Sequence, residues 1–201
     1  MRPSPSSERK LGYDDYAALP DDGRRYEVLD GVLVVSPAPV PWHQTVSRRI
    51  QFALYAQLEL TGCGEIYDAP IDVILSPHDI LQPDLVYVRA DQAALVTHRA
   101  IEGPPALVVE VLSPSTRRRD LRDKRAIYER CGVERYWVVD PEAGRIEGFR
   151  LVNGTYEPEL DVAAPGTITC LGATLELAEI FRGRPASTPS DGHRGTGDPG
   201  M

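Results

Sequence analysis

The chain has 201 residues, 42% hydrophobic and 26% charged, with a formal charge of -8. That balance excludes an intrinsically disordered chain, and no apolar run approaches the ~18 residues of a helical membrane span. The acidic total also argues against a protein that coats nucleic acid non-specifically.

Residues 1–9 hold no apolar stretch behind their charges and read as a flexible arm, not a secretory signal. Tyr13 to Leu19 is a short helix stopped by Pro20. Arg24 to Asp30 and Val32 to Ser36 are strands joined at Asp30-Gly31, a strong hairpin signal. Trp42 to Leu60 carries apolar residues at 42, 46, 50, 53, 54 and 58, a helical period ending before Gly62. Glu65 to Tyr67, Ile71 to Leu75 and Asp84 to Val88 are strands, the last opened by Pro83. Ala106 to Leu112 is Val-rich and nearly unbroken in its apolar character, which predicts a central strand buried on both faces. Arg117 to Cys131 is a helix ending at Gly132, and Glu134 to Val139 a strand. Arg145 to Val152 and Thr155 to Leu160 form a hairpin across Asn153-Gly154, and Leu175 to Phe181 is a closing helix. In residues 183–201, 12 of 19 are Gly, Pro, Ser or Thr, the composition of a disordered tail. Residues 10–182 then read as one α/β or α+β domain, a central mixed sheet with helices on its faces and an N-terminal hairpin. Cys63, Cys131 and Cys170 are odd in number and never spaced C-x-x-C, which suits a reducing cytoplasm and argues against a disulfide or zinc framework.

Three charges stand where the pattern wants apolar groups. Glu110 interrupts the buried strand, where an ionised carboxylate is costly unless paired or bound to metal. Lys124 falls mid-stripe on the Arg117–Cys131 helix, between Leu121 and Tyr128, while the arginines at 118, 119, 122, 125 and 130 point elsewhere. Of 22 basic residues only Lys10 and Lys124 are lysine, so an interior one calls for a carboxylate or phosphate beside it, and Glu110 is the obvious candidate. Asp84 follows Pro83 at a strand start, where a capping aspartate is the ordinary alternative. Glu27 on the first hairpin is a further candidate carboxylate, although alternate strand residues face solvent. His43 at the start of the long helix could line the same pocket, or be merely structural.

Several carboxylates with one lysine suit a hard cation such as Mg²⁺ or Mn²⁺ and phosphodiester hydrolysis. The run Arg117 to Arg125 holds six cations and two anions, a local +4 whose outer arginines could hold a nucleic-acid backbone or simply be solvated.

Arg-Tyr-Glu-Val-Leu-Asp-Gly, His43 at a helix start, Gln-Pro-Asp-Leu-Val, Val-Val-Glu-Val-Leu-Ser-Pro-Ser-Thr, Asp120 with Lys124, and Gly-Val-Glu-Arg-Tyr-Trp-Val-Val-Asp-Pro follow in this order. In these motifs, from about Tyr13 to Phe181, the chain resembles the Uma family of bacterial restriction-endonuclease-like proteins with the PD-(D/E)xK nuclease fold. The resemblance implies a restriction-endonuclease-like core, with Asp84 and Glu110 binding the divalent metal and Glu27 completing its shell. Leu112 stands where the superfamily motif has lysine, and the resemblance implies that Lys124 has taken over that role from the following helix. It assigns no role to His43.

The leading expectation is therefore a metal-dependent cytoplasmic endonuclease acting on DNA, with Asp84, Glu110, Lys124 and Glu27 as catalytic residues. It has no membrane partner, and a homodimer is plausible for cutting both strands. The alternatives are a catalytically inactive nucleic-acid-binding or interaction module that keeps the fold, and another two-carboxylate enzyme such as a glycosidase. The second of these does not account for an interior lysine.

Overall fold

A computed structural model describes residues 9–184. The expected arm and tail lie outside the described residues, apart from Arg9, Gly183 and Arg184. Chain order is α1 (Tyr13–Ala17), β1 (Arg25–Leu29), β2 (Val32–Ser36), α2 (Pro41–Leu54), β3 (Gly64–Asp68), β4 (Val73–Ser76), β5 (Asp79–Leu81), β6 (Leu85–Arg89), β7 (Ile101–Glu102) and β8 (Leu107–Val111). Then follow α3 (Arg117–Arg119), α4 (Arg125–Arg130), β9 (Arg135–Asp140), β10 (Arg145–Val152), β11 (Thr155–Ala163), β12 (Thr167–Cys170), β13 (Ala173–Glu176) and α5 (Leu177–Ile180).

The fold is mixed α+β. A six-stranded sheet runs β11-β10-β9-β8-β6-β3, a five-stranded sheet runs β2-β1-β5-β4-β7, and β12 pairs with β13 alone. In the six-stranded sheet β8 and β9 are parallel and the other neighbours antiparallel, so it is mixed as expected. The sequence reading holds one central sheet; the structure holds two, because the N-terminal hairpin pairs through β1 with β5 rather than joining the strands around β8.

The two hairpins expected at Asp30-Gly31 and Asn153-Gly154 both form. Asp30 and Gly31 have φ of 51° and 81°, and Asn153 and Gly154 have 52° and 84°, the positive pair that matches the strand twist. All five residues of β8 are buried. Alternation sends Leu107, Val109 and Val111 to one core, against Val46, Ile50 and Leu54 of α2. It sends Val108 to the opposite core, with Ile127 and Tyr128 of α4. Glu110 shares the parity of Val108 and so faces α4.

Boundaries differ in instructive places. Asp84 precedes its strand rather than opening it, since β6 begins at Leu85. Leu175 lies in β13 rather than in the closing helix, which is only Leu177–Ile180. Both long helices contain a π-helical turn, Tyr55–Glu59 after α2 and Asp120–Lys124 between α3 and α4. The strands β5 and β7, of three and two residues, are too short for any period to reveal. The three cysteines are free thiols. No described helix is long and apolar enough to cross a membrane.

Gly64 marks the tightest approach between β3 and β6. A Cβ there would stand 2.2 Å from the Val88 carbonyl oxygen and 2.8 Å from Arg89 Cα, backbone atoms that cannot swing away. Gly64→Ala should cost about 1–3 kcal/mol, as overpacking does, and lower Tm by roughly 2–4 °C per kcal/mol. An unchanged melting temperature by calorimetry would contradict this packing.

Candidate active site

The sequence-predicted residues converge from five places in the chain. β1 supplies Glu27, the start of α2 supplies His43, the residue before β6 is Asp84, β8 supplies Glu110, and the π turn between α3 and α4 supplies Lys124. All five are buried. The lysine is 2% exposed, so Lys124 points inward.

Lys124 is the hub. Its Nζ lies 2.8 Å from Glu27 Oε1, 2.8 Å from Glu110 Oε1 and 3.9 Å from Asp120 Oδ1. Tyr128 donates its hydroxyl to the same Glu110 oxygen at 2.7 Å. Asp84 lies beside this group, where its Oδ2 accepts the Val111 backbone N–H at 2.8 Å and faces His43 Nε2 at 3.1 Å. Its Oδ1 takes the Arg25 guanidinium at 3.3 Å.

These side chains line one cavity: Arg25, His43, Asp84, Glu110, Asp120 and Lys124 on its polar wall. Its rims are the loop from Ser36 to Val40 and the loop from Ser113 to Thr116. Glu27 is not on that wall. It is fully buried behind Lys124, and both its oxygens are engaged, Oε1 by Lys124 and the Gln82 N–H at 2.9 Å, Oε2 by the Ser36 hydroxyl at 3.2 Å. Of the five, Glu27 alone is brought to the lysine without being brought to the cavity.

One ammonium among three carboxylates sets the electrostatics. Burial would lower the Lys124 pKa, but Glu110, Glu27 and Asp120 outweigh it and hold the amine charged. Burial also opposes charge on Glu27, yet the Lys124 charge and hydrogen bond, with the Gln82 N–H, keep it below the usual carboxylate range. Asp84 is likewise held low despite burial, by His43, Arg25 and the Val111 N–H. Glu110 goes the other way. Burial, with Asp120, Asp84 and Glu27 nearby, pushes it up to about 8 against the pull of Lys124. Burial raises Asp120 too. The cluster thus carries more acid than its lysine neutralises.

That surplus is the test of whether a divalent cation fits. Asp84, Glu110 and Asp120 offer carboxylate oxygens to one cavity, the hard donors that Mg²⁺ prefers. Among the described residues no three of His, Cys, Asp and Glu form a ready-made cage. Mg²⁺ does not demand one, since it keeps several waters and takes one or two carboxylates. The donor set therefore fits a hydrated Mg²⁺-type ion on Asp84 and Glu110. Binding there would require Asp84 Oδ1 to exchange its long contact with Arg25.

Sequence reasoning missed three contributors. Asp120 appears in the motif run without a role, yet the π turn brings it inward beside Lys124. Arg25 was hidden as a strand residue beside the exposed-looking Arg24. Arg119, expected to point away, lines the cavity, donates to Ser36 Oγ at 2.8 Å and has a buried Nε without a partner. The i, i+4 spacing of Asp120 and Lys124 was the available signal.

The fold is of the nuclease-fold class. The solved structure of "a putative nuclease belonging to DUF820" from Anabaena variabilis ATCC 29413 matches with a TM-score of 0.71, covering 85% of this chain and 97% of that one at 15% identity. No curated protein matches the chain. The chain belongs to the Uma2 family, described as "Putative restriction endonuclease", whose match runs over residues 13–178.

Removing Lys124 should be costly because it strands buried carboxylates. Lys124→Met is expected to lose about 3–5 kcal/mol in urea unfolding. Adding Glu110→Gln should recover part of that loss, since the two groups are in contact. Two losses that simply add would contradict the coupling.

Proposed function

We propose that this protein is a metal-dependent endonuclease that hydrolyses phosphodiester bonds in DNA. The observation that carries the reading is the meeting of Asp84, Glu110 and Lys124 on one cavity wall, two metal-type carboxylates and an ammonium held charged. A Mg²⁺ or Mn²⁺ ion, when bound, would polarise the phosphoryl group and lower the pKa of a bound water.

The chain's own groups divide the remaining work. Asp84 and Glu110 would hold the ion, with His43, the Val111 N–H and Tyr128 fixing the two carboxylates. Lys124 has three N–H donors, of which two are committed to Glu27 and Glu110. The third is available to the attacking water or to a phosphoryl oxygen, where negative charge develops as the new P–O bond forms. The attacking water gives up a proton to solvent, the ester P–O bond breaks, and its alkoxide leaves with a proton from solvent. Glu27 acts here as a positioning residue, because it grips Lys124 from behind and lies off the cavity wall. Two such chains acting as a homodimer could cut both strands of a duplex.

Supercoiled plasmid should be nicked in Mg²⁺ or Mn²⁺ and not in EDTA. Glu110→Gln and Asp84→Asn should each reduce the rate by about two orders of magnitude or more. Absence of nicking by folded wild-type protein in either metal would sink the reading and favour the non-catalytic module.

Glu27→Gln separates positioning from ligation. Calorimetric titration with Mn²⁺ should show affinity close to wild type for Glu27→Gln and a marked loss for Asp84→Asn, while both variants nick poorly. Weakened Mn²⁺ binding in Glu27→Gln would return Glu27 to the metal shell.

A further inference from the structure

His43 and Asp84 border more than the cavity they share with Glu110. A second cavity lies on the other side of that histidine, lined by His43, Gln44, Ser47, Arg48, Gln51, Asp68 and Asp84. The two cavities share His43 and Asp84 and so lie side by side next to the acids. The second part is built on α2. Val46, Ile50 and Leu54 of that helix face the core, while Gln44, Arg48 and Gln51 recur at the helical period on the side toward the cavity. His43 is itself nine-tenths buried, and its Nδ1 has no hydrogen-bond partner.

The lining is notable for what its groups do not bind. Gln44, Ser47, Arg48 and Gln51 make no side-chain hydrogen bond or ion pair among the described residues. The basic helix that the sequence offered as a nucleic-acid surface is in the opposite condition. Arg117 pairs with Asp140 at 2.8 Å, Arg119 donates to Ser36, Arg125 lies 4.0 Å over the Phe149 ring, and Arg130 holds Asp79 at 2.7 Å. Most of its cations are already spent within the fold. Arg48 is not.

We infer that the α2 groove is the track of the substrate strand next to the scissile phosphate, with Arg48 on a backbone phosphate and Gln44 and Gln51 donating to phosphate or sugar oxygens. The inference rests on the nuclease reading and deepens it. Amide and hydroxyl side chains are ordinary phosphate and sugar donors, and they fix register without reading sequence. From Gln44 to Gln51 the helix rises about 10 Å, the axial rise of roughly three base-pair steps of a duplex. The groove therefore holds a short stretch of one strand and makes few ionic contacts. A protein of net charge -8 can afford such a local arrangement where it could not bind nucleic acid over its whole surface.

The test is fluorescence anisotropy with a labelled 20-nucleotide DNA, single-stranded and duplex, in Ca²⁺ across a salt series. Arg48→Gln should weaken binding about three- to tenfold and reduce the slope of log K against log salt by about 1. Gln44→Ala/Gln51→Ala should weaken binding with no change of slope. In cleavage, Arg48→Gln should raise KM and leave kcat near wild type, the mark of a group that binds without entering the chemistry. Arg122→Gln, on the outer face of the other helix, is the rival arm. Weaker binding for Arg122→Gln with none for Arg48→Gln would overturn the α2 track and leave the nuclease reading standing. A wild-type protein that binds neither DNA would overturn both.

Discussion

The structure turns on one ammonium. Lys124 reaches from the helical segment between α3 and α4 to Glu27 on β1 and Glu110 on β8, at 2.8 Å each. Those strands belong to different sheets, so the lysine ties the five-stranded sheet to the six-stranded one through a single buried charge. A buried ion pair is weak ground for stability, because well-packed apolar side chains in the same volume would often hold as well or better. What the pair does provide is placement. It fixes a cation at a set distance from two carboxylates, deep in a cavity where fields are not screened by water.

The same cluster is electrostatically incomplete. Glu110, Glu27 and Asp120 share one lysine, and Asp84 depends on Arg25 and His43. Burial pushes Glu110 up to about 8, the cost of an acid whose cation is shared. A hard divalent ion on Asp84 and Glu110 would relieve that imbalance and supply the chemistry for hydrolysis. Structure and proposed activity then have one origin, an excess of buried acidic groups over the one lysine, held open toward a cavity.

Much of this was legible in the chain itself. Glu110 in a run of valines and Lys124 in an apolar helix stripe are violations of pattern, and the fold resolves both by pairing them. The two hairpins and the central buried strand followed from local rules, turn chemistry and an unbroken apolar run. The rest depended on tertiary placement. The family resemblance implied a place for Glu27 in the metal shell, while its position behind the lysine and off the cavity wall depends on the packing of β1. The i, i+4 spacing put Asp120 on the face of Lys124, but the π turn that carries both is a local departure that a regular helical period does not foresee. Arg25 and Arg119 gave no signal because an arginine reaching into a cavity and one reaching into solvent look alike in sequence.

The central claim is that Lys124 is a permanently charged hub between two carboxylates. The chain has only two lysines, so labelling lysine with ¹⁵N and ¹³C and following the side-chain signals by NMR gives one resonance for Lys10 and one for Lys124. The account predicts that the Lys124 ammonium remains protonated across the whole pH range in which the protein stays folded, with slowly exchanging protons. A Lys124 that loses its proton below the ordinary lysine value of about 10.4 would contradict the hub, and with it the site built around it.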